Sequence, residues 1–330
     1  SGATEAHTRA SKGAAQCARA PPPAGRPRDP SGALTTEHKG VLESCAQLER
    51  EGFEITYLPV EPDGLVDLDR LAAALSPHTL LVSVMAAHNE IGVIQPLAEI
   101  GALCHQRGVL LHSDAAQAVG KIPLDVEAMQ IDLLSVSGHK LYGPKGVGAL
   151  YIRRRPRVRL LPLIDGGGQE RGLRSGTLPT PLCVGLGRAT AIAAAEMAQE
   201  ATRLRQLRDR LHQGLSRRVP GLRLHGDAER RLAGNLNLSF PGIEAPTLIE
   251  ACPAIAISTG SACTSATIEP SYVLRALGLA DAVANSAIRI GLGRFNTAAD
   301  VDFAVDALAA AAQRLAGDSE AQRKRGAIPT

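Results

Sequence analysis

From Glu54 onward the chain alternates short apolar runs with amphipathic stretches, and this alternation most restricts its fold. Residues 55–60, 80–85, 109–113, 133–136 and 148–152 are apolar runs four to six residues long. They are too short for helices and suit strands buried on both faces. Residues 68–75 and 96–106 between them carry helical periodicity. Strands alternating with helices give an α/β fold, a mostly parallel sheet covered on both faces. After Pro181 the pattern changes. Residues 183–218 read as one long helix rich in Ala, Leu, Glu and Arg. Beyond it, strands at 235–240, 254–258 and 287–291 mix with helices at 271–277 and 298–315, a smaller α+β domain. The expected organisation is a poorly ordered segment over 1–35, a large domain over 36–197, a small domain over 198–316 and a frayed polar tail over 317–330. The first expectation rests on the five prolines within 20–33, which remove backbone donors and fix φ.

Composition narrows the class. At 330 residues the chain can bury a large core in two lobes, and with four Phe, four Tyr and no Trp that core is aliphatic. A net charge of +3 is too small to imply nucleic acid. Cysteines at 17, 45, 104, 183, 252 and 263 lie far apart without a C-x-x-C pair. Neither a disulfide framework nor a structural metal is expected, and a reducing compartment fits. No uninterrupted apolar stretch is long enough to span a bilayer, so no membrane role is expected. The chain opens on Ser1, and targeting is not read from that start.

Two motifs at strand ends carry the first chemistry. Asp114-Ala115-Ala116-Gln117 closes the 109–113 run, and Ser137-Gly138-His139-Lys140 follows the 133–136 run. Ligands of open α/β sheets bind beyond the carboxyl ends of the strands, so Asp114 and Lys140 converge at one rim. An amine that joins a carbonyl, with a carboxylate that keeps a ring nitrogen protonated, is what a pyridoxal 5'-phosphate (PLP) enzyme requires. Gln117 can reach the phenolic oxygen of the ring, and Ser137 and His139 can bind its phosphate. Asn89, in His88-Asn89-Glu90-Ile91-Gly92 after the 80–85 run, reaches the same rim. Alone, Asn89 and Gln117 would read as turn residues.

Ala3 and Thr4, in the opening Ser1-Gly2-Ala3-Thr4-Glu5, suit a helix N-terminus that favours phosphate; an ordinary capping box is the plainer alternative. His38 is a lone histidine, ordinarily a surface residue. Its functional reading is a ring stacked on the cofactor that also handles protons. In Ser258-Thr259-Gly260-Ser261-Ala262-Cys263-Thr264-Ser265 one cysteine lies among small hydroxylated residues. Buried structural cysteines have bulky neighbours, as Cys104 and Cys183 do, whereas an accessible thiolate works as a nucleophile. Arg289, between two isoleucines, can clamp a substrate carboxylate. The run Arg153-Arg154-Arg155-Pro156-Arg157-Val158-Arg159 is ordinarily a solvated face. Few aromatics accompany it, so an acidic protein partner suits it better than nucleic acid.

Together these motifs closely resemble the PLP-dependent cysteine desulfurases of iron–sulfur-cluster assembly. The resemblance runs from Thr35 to about residue 316. It rests on Asp-Ala-Ala-Gln, Ser-Gly-His-Lys-x-Tyr-Gly-Pro-Lys-Gly, Gly-Gly-Gly-Gln-Glu-Arg-Gly-x-Arg-Ser-Gly-Thr and Gly-Ser-Ala-Cys-Thr-Ser. It implies a fold type I, aminotransferase-like large domain, PLP held by Lys140, and catalysis by Lys140, Cys263 and His38. Sulfur from L-cysteine would form a persulfide on Cys263, releasing L-alanine. It also implies a homodimer in which Thr177 reaches the partner's phosphate site. Arg154, Arg155, Arg157 and Arg159 would dock an iron–sulfur scaffold protein and a frataxin-like partner. No structural metal is implied, although Cys263 would share a transient iron–sulfur cluster with the scaffold. The mitochondrial matrix is the favoured location for a eukaryotic source, the cytoplasm for a bacterial one. The family carries a segment before Ser-Gly-Ala-Thr-Glu that this sequence does not show, and follows it with Ser-Asn-Asn where this chain has Ala6-His7-Thr8. A selenocysteine lyase and a truncated, non-catalytic scaffold-binding form are the competing readings.

Overall fold

The computed structural model describes residues 2–17, 28–260 and 270–326. Among them the chain forms two compact units. The first holds residues up to Glu61 together with Leu65–His88 and Ile94–Ala198; the second holds Pro62–Gly64, Asn89–Val93 and the chain from Gln199 onward.

The first unit opens with helix α1 (Ala3–Cys17), then β1 (Arg28–Leu34), α2 (Lys39–Arg50), β2 (Phe53–Leu58), α3 (Leu68–Ala74), β3 (Leu81–Ser83), α4 (Leu97–Gln106), β4 (Leu110–Asp114), β5 (Leu133–Ser137) and β6 (Gly148–Ile152). The six strands lie in the order β2-β1-β3-β4-β5-β6. All neighbours pair in parallel except β6, which runs antiparallel to β5. Buried side chains on successive residues of β4, from Leu111 to Asp114, mark a strand covered on both faces.

The expectation of poor order over 1–35 is corrected over Ala3–Cys17 and Arg28–Leu34, which form α1 and β1; residues 18–27 lie outside the described residues. Helix α1 folds because it presents small residues to the core: Ala10 and Ala14 pack with Leu81, Leu133, Val158 and Leu160, while Ala15 packs with Leu48 and Phe53. Gly13 lets the helix approach closely, since a Cβ there would lie 3.1 Å from the Leu161 carbonyl oxygen. Strand β1 is an interior strand despite Pro30. Its register with β2 shifts between Arg28 and Ser31, so the proline falls at a bulge, where its missing donor interrupts no regular ladder bond.

Helix α5 (Thr180–Arg218) is 39 residues long. Its Leu204, Leu207, Leu211 and Leu215, spaced three and four apart, form one stripe of the second unit's core. They pack with Leu236, Leu238, Phe240, Ile288 and Ile290 on an antiparallel sheet of β7 (Arg223–Leu224), β8 (Asn235–Ser239), β9 (Ser258–Thr259) and β10 (Ala287–Gly291), ordered β7-β8-β10-β9. Burying each such Leu, Ile or Phe stabilises the unit by about 1.5–3 kcal/mol. The strand expected over 254–258 shrinks to β9, because only Ser258 and Thr259 pair with β10. Helices α6 (Ala245–Glu250), α7 (Tyr272–Ala276), α8 (Asp281–Asn285) and α9 (Ala298–Gly326) complete the unit. The frayed tail expected over 317–330 is corrected as far as Gly326, which α9 reaches through good helix formers such as Ala, Glu, Gln, Lys and Arg.

The second unit also takes in residues 89–93, which the sequence reading assigned to the large domain. Val93 bridges Arg231, and the side-chain amides of Asn235 and Asn237 each donate to the Glu90 carbonyl at 3.4 Å.

Candidate active site

Strand ends of the first unit supply the polar groups. Asp114 closes β4 and is 3% exposed. Its Oδ1 accepts from the Ala116 N–H at 2.8 Å, and its Oδ2 lies 3.1 Å from Nε2 of His7 on α1. Burial alone would raise the Asp114 pKa. The His7 hydrogen bond and charge, with the Ala116 N–H, outweigh it and hold the carboxyl below its usual range. Asp114 is therefore an ionised acceptor in a nearly dry site.

Beyond Ser137 at the end of β5, a single 3-10 turn (Gly138–Leu141) carries His139 and Lys140, both exposed. Glycine is required at 138, where a Cβ would lie 3.0 Å from Val147 and from the Pro144 carbonyl. The turn ends on Tyr142 in the left-handed region, φ 64°.

His38 caps α2: its Nδ1 accepts from the Gly40 N–H at 3.0 Å. Burial lowers its pKa; the Asp114 charge opposes this, and His7 and Lys140 add to it. His7 lies against Asp114, and β4 and β5, which end at Asp114 and at the Lys140 turn, are paired neighbours. The His7 and His38 ring centroids are 6.1 Å apart. Beneath them His112 is bonded on both nitrogens, Nδ1 to Ser83 Oγ and Nε2 to Ser135 Oγ, each at 2.8 Å. Burial brings its pKa down to about 3, with His7 lowering it further and Asp114 opposing. Glu37, also buried, accepts from the Met85 N–H at 2.5 Å. Burial first, then the Asp114 charge, pushes its carboxyl well above the usual range.

A second end of the site lies at the start of α1. Its first intrahelical bond runs from the Ala6 N–H to the Gly2 carbonyl at 3.2 Å. The N–H groups of Ala3 and Thr4 lie in the first turn, where an α-helix offers no intrahelical acceptor. Gly148 pairs with Ser137, and a Cβ on Gly148 would lie 3.0 Å from Gly2 backbone atoms. The helix start and Ser137 are thus neighbours across β6. Ser137 Oγ lies 3.0 Å from His139 Nδ1, and Arg174 Nε donates to Glu5 Oε1 at 2.9 Å, tying the glycine-rich loop to α1. Gln117 accepts from Lys121 Nζ at 2.8 Å through Oε1. Thr177 is exposed.

In the second unit, Arg289 donates from Nη1 to the Asn89 carbonyl at 3.0 Å and from Nη2 to Ser258 Oγ at 3.2 Å. The structure brings Asn89 and Arg289 together there. Cys263 lies outside the described residues. Both flanks of its segment meet Glu90: Ser271 Oγ donates to Glu90 Oε2 at 2.7 Å, and a Cβ on Gly260 would lie 2.7 Å from that oxygen. Cys104 is buried and burial pushes its thiol up to about 12, an inert structural cysteine. Cys183 is not of that kind; it is exposed near the start of α5. Arg154, Arg155, Arg157 and Arg159 are exposed, while Arg153 is buried against Glu127, Asp132 and the Val126 and Ile131 carbonyls.

The sequence matches the aminotransferase class-V family over residues 3–303. It is 54% identical over 282 residues to cysteine desulfurase IscS of Rickettsia rickettsii, covering 86% of this chain and 69% of that protein. It is 55% identical over 280 residues to a mitochondrial cysteine desulfurase of Dictyostelium discoideum, covering 85% and 62%. Its fold superposes on a NifS-like protein with TM-score 0.85 and 37% identity, covering 96% of this chain and 81% of the other. The chain belongs to the cysteine desulfurases of the class-V aminotransferase family.

The cofactor of a cysteine desulfurase in this family is PLP, and the donor set fits it. An ionised buried carboxylate suits a protonated ring nitrogen, and an exposed lysine suits the carbonyl. The first-turn N–H groups of α1, with Ser137 and His139, suit the phosphate. His7, His112, Glu37 and Glu90 are site groups that the motifs did not single out. His7 was legible in principle: with Ala10 and Ala14 it follows the three- and four-residue steps of a buried helix face.

Proposed function

We propose that this cysteine desulfurase takes sulfur from L-cysteine and that Lys140, Asp114, His38, Arg289 and Cys263 divide the work. The carrying observation is that buried Asp114 ends β4 and the Lys140 turn follows β5, its paired neighbour, so both sit at one edge of the sheet. When bound, PLP supplies an electron sink. Asp114 holds the ring nitrogen protonated, and Ala3, Thr4, Ser137 and His139 hold the phosphate. Lys140 takes the substrate α-proton and later returns a proton to carbon. Asn89 and Arg289 orient the substrate, the guanidinium meeting its carboxylate. The Cys263 thiolate attacks the substrate sulfur. An S–S bond forms as the C–S bond breaks, and the electron pair left on carbon is protonated to give alanine.

Thr177 completes the phosphate site of a second copy in a homodimer, and its exposure supports this reading. The exposed Arg154, Arg155, Arg157 and Arg159 offer an iron–sulfur scaffold or a frataxin-like protein a charged docking face. Cys263 passes its sulfur to such a scaffold. The matrix of the mitochondrion is its place in a eukaryote and the cytoplasm in a bacterium.

The test is to mix the purified chain with PLP and record the yellow band of lysine-bound cofactor, then add L-cysteine and assay alanine and sulfide. Band, alanine and sulfide are expected, and Cys263→Ser abolishes transfer to an acceptor. A band without turnover of cysteine, but with turnover of selenocysteine, makes it a lyase of the latter. No band makes it a binding protein only.

A further inference from the structure

Helix α1 inserts an imidazole beside the carboxylate on which the proposed chemistry depends. His7 is 1% exposed, and its Nε2 lies 3.1 Å from Asp114 Oδ2. The other carboxylate oxygen is taken by the Ala116 N–H. The remaining imidazoles near Asp114 are otherwise engaged. His112 uses both nitrogens on Ser83 and Ser135, and His38 uses Nδ1 on the Gly40 N–H. His7 Nδ1 is buried and makes no hydrogen bond. A proton there would be an unpaired buried donor, whereas a proton on Nε2 meets a carboxylate. Nε2 therefore carries a hydrogen toward Asp114.

We propose that His7 is a positioning residue for Asp114: its Nε2–H donates to Oδ2, fixes the carboxylate's orientation and keeps it charged toward the cofactor's ring nitrogen. This rests on the PLP reading above. Asp114 lies below the usual carboxylate range with His7 as the largest opposing influence to burial. The other groups facing this pair are His38, His112, Lys140 and Glu37.

The length of the side chain supplies the control. The amide nitrogen of Gln reaches close to where imidazole Nε2 sits; that of Asn stops near Nδ1 and falls short of Asp114. In the cofactor-free full chain, carbon-detected titration of Asp114 moves upward in His7→Leu and His7→Asn and returns in His7→Gln. PLP affinity of the first two falls about tenfold, the loss of one hydrogen bond to a charged group, and His7→Gln restores it. Nitrogen shifts of the unsubstituted chain report the hydrogen on Nε2, a readout that needs no variant to fold. An Nε2 without hydrogen, a His7→Leu variant with unchanged Asp114 titration, or a His7→Gln variant as impaired as His7→Leu overturns the proposal. If the unsubstituted chain takes up no PLP, the functional reading fails, and the cofactor-free titrations decide His7 by themselves.

Discussion

The two walls around Asp114 treat buried polarity in opposite ways. On the strand wall the polar groups are partnered: His112 by Ser83 and Ser135, Ser113 Oγ by the Val84 carbonyl at 2.8 Å, Asp114 by Ala116. On the helix wall His7 Nδ1, both Arg9 terminal nitrogens and Ser11 Oγ are buried without a hydrogen bond. The strand wall carries the Asp-Ala-Ala-Gln and Ser-Gly-His-Lys motifs, while the helix wall carries Ala6-His7-Thr8. The hydrogen-bonded set of His112, Ser83 and Ser135 draws on the strands alone.

The largest break of this comparison is Lys140→Ala on the strand side. It removes the amine, and alanine production falls about 10²–10⁴-fold while the urea midpoint of unfolding stays put. Next, His112→Leu strips the partners from Ser83 and Ser135 and costs about 2–4 kcal/mol of stability, read from the urea midpoint. His112 also sets a pH dependence. Its folded pKa of about 3 lies below the ordinary 6.5, so the unfolded chain binds the extra proton between those values and stability falls as pH drops from 6.5 toward 3. The slope is about 1.4 kcal/mol per pH unit for one such proton. His225 in the second unit, lowered to about 4 by burial, adds the same sign over a narrower window. Glu37 opposes them: its raised pKa makes the folded chain the better proton binder as pH rises above 4.5. The unfolding midpoint of His112→Leu therefore depends less steeply on pH in acid.

On the helix side the sign reverses. Arg9, 4% exposed, lies 3.9 Å from Glu5, which Arg174 already pairs at 2.9 Å. Arg9→Met removes a poorly satisfied buried charge and raises stability by about 1–3 kcal/mol, a Tm increase measurable by calorimetry. The smallest effect is expected away from both walls. Asp302→Asn breaks the exposed pair with Arg210 and leaves Tm unchanged.

Much of the strand wall was legible because burial on both faces writes continuous apolar runs, and strand ends then fix where Asp114 and Lys140 must sit. The helix wall was not. Five prolines within 20–33 look incompatible with an interior strand, yet Pro30 falls at a register shift that only the β1–β2 pairing reveals. Ala10 and Ala14 are too small to announce a core face until Leu81 and Leu133 are placed against them. Residues 89–93 join the second unit through the backbone carbonyls of Asn89, Glu90, Ile91 and Gly92, groups with no sequence signature. Side-chain motifs are visible in a sequence, whereas backbone acceptors are not.

The cap that His38 forms on α2 limits what that residue can do. Because Nδ1 accepts from Gly40, a second proton on the ring must evict the cap and loosen the first turn of the helix, at a cost of about 1 kcal/mol. His38 can therefore donate a hydrogen bond through Nε2, but it resists taking up a second proton, and the folding of α2 enforces that restraint.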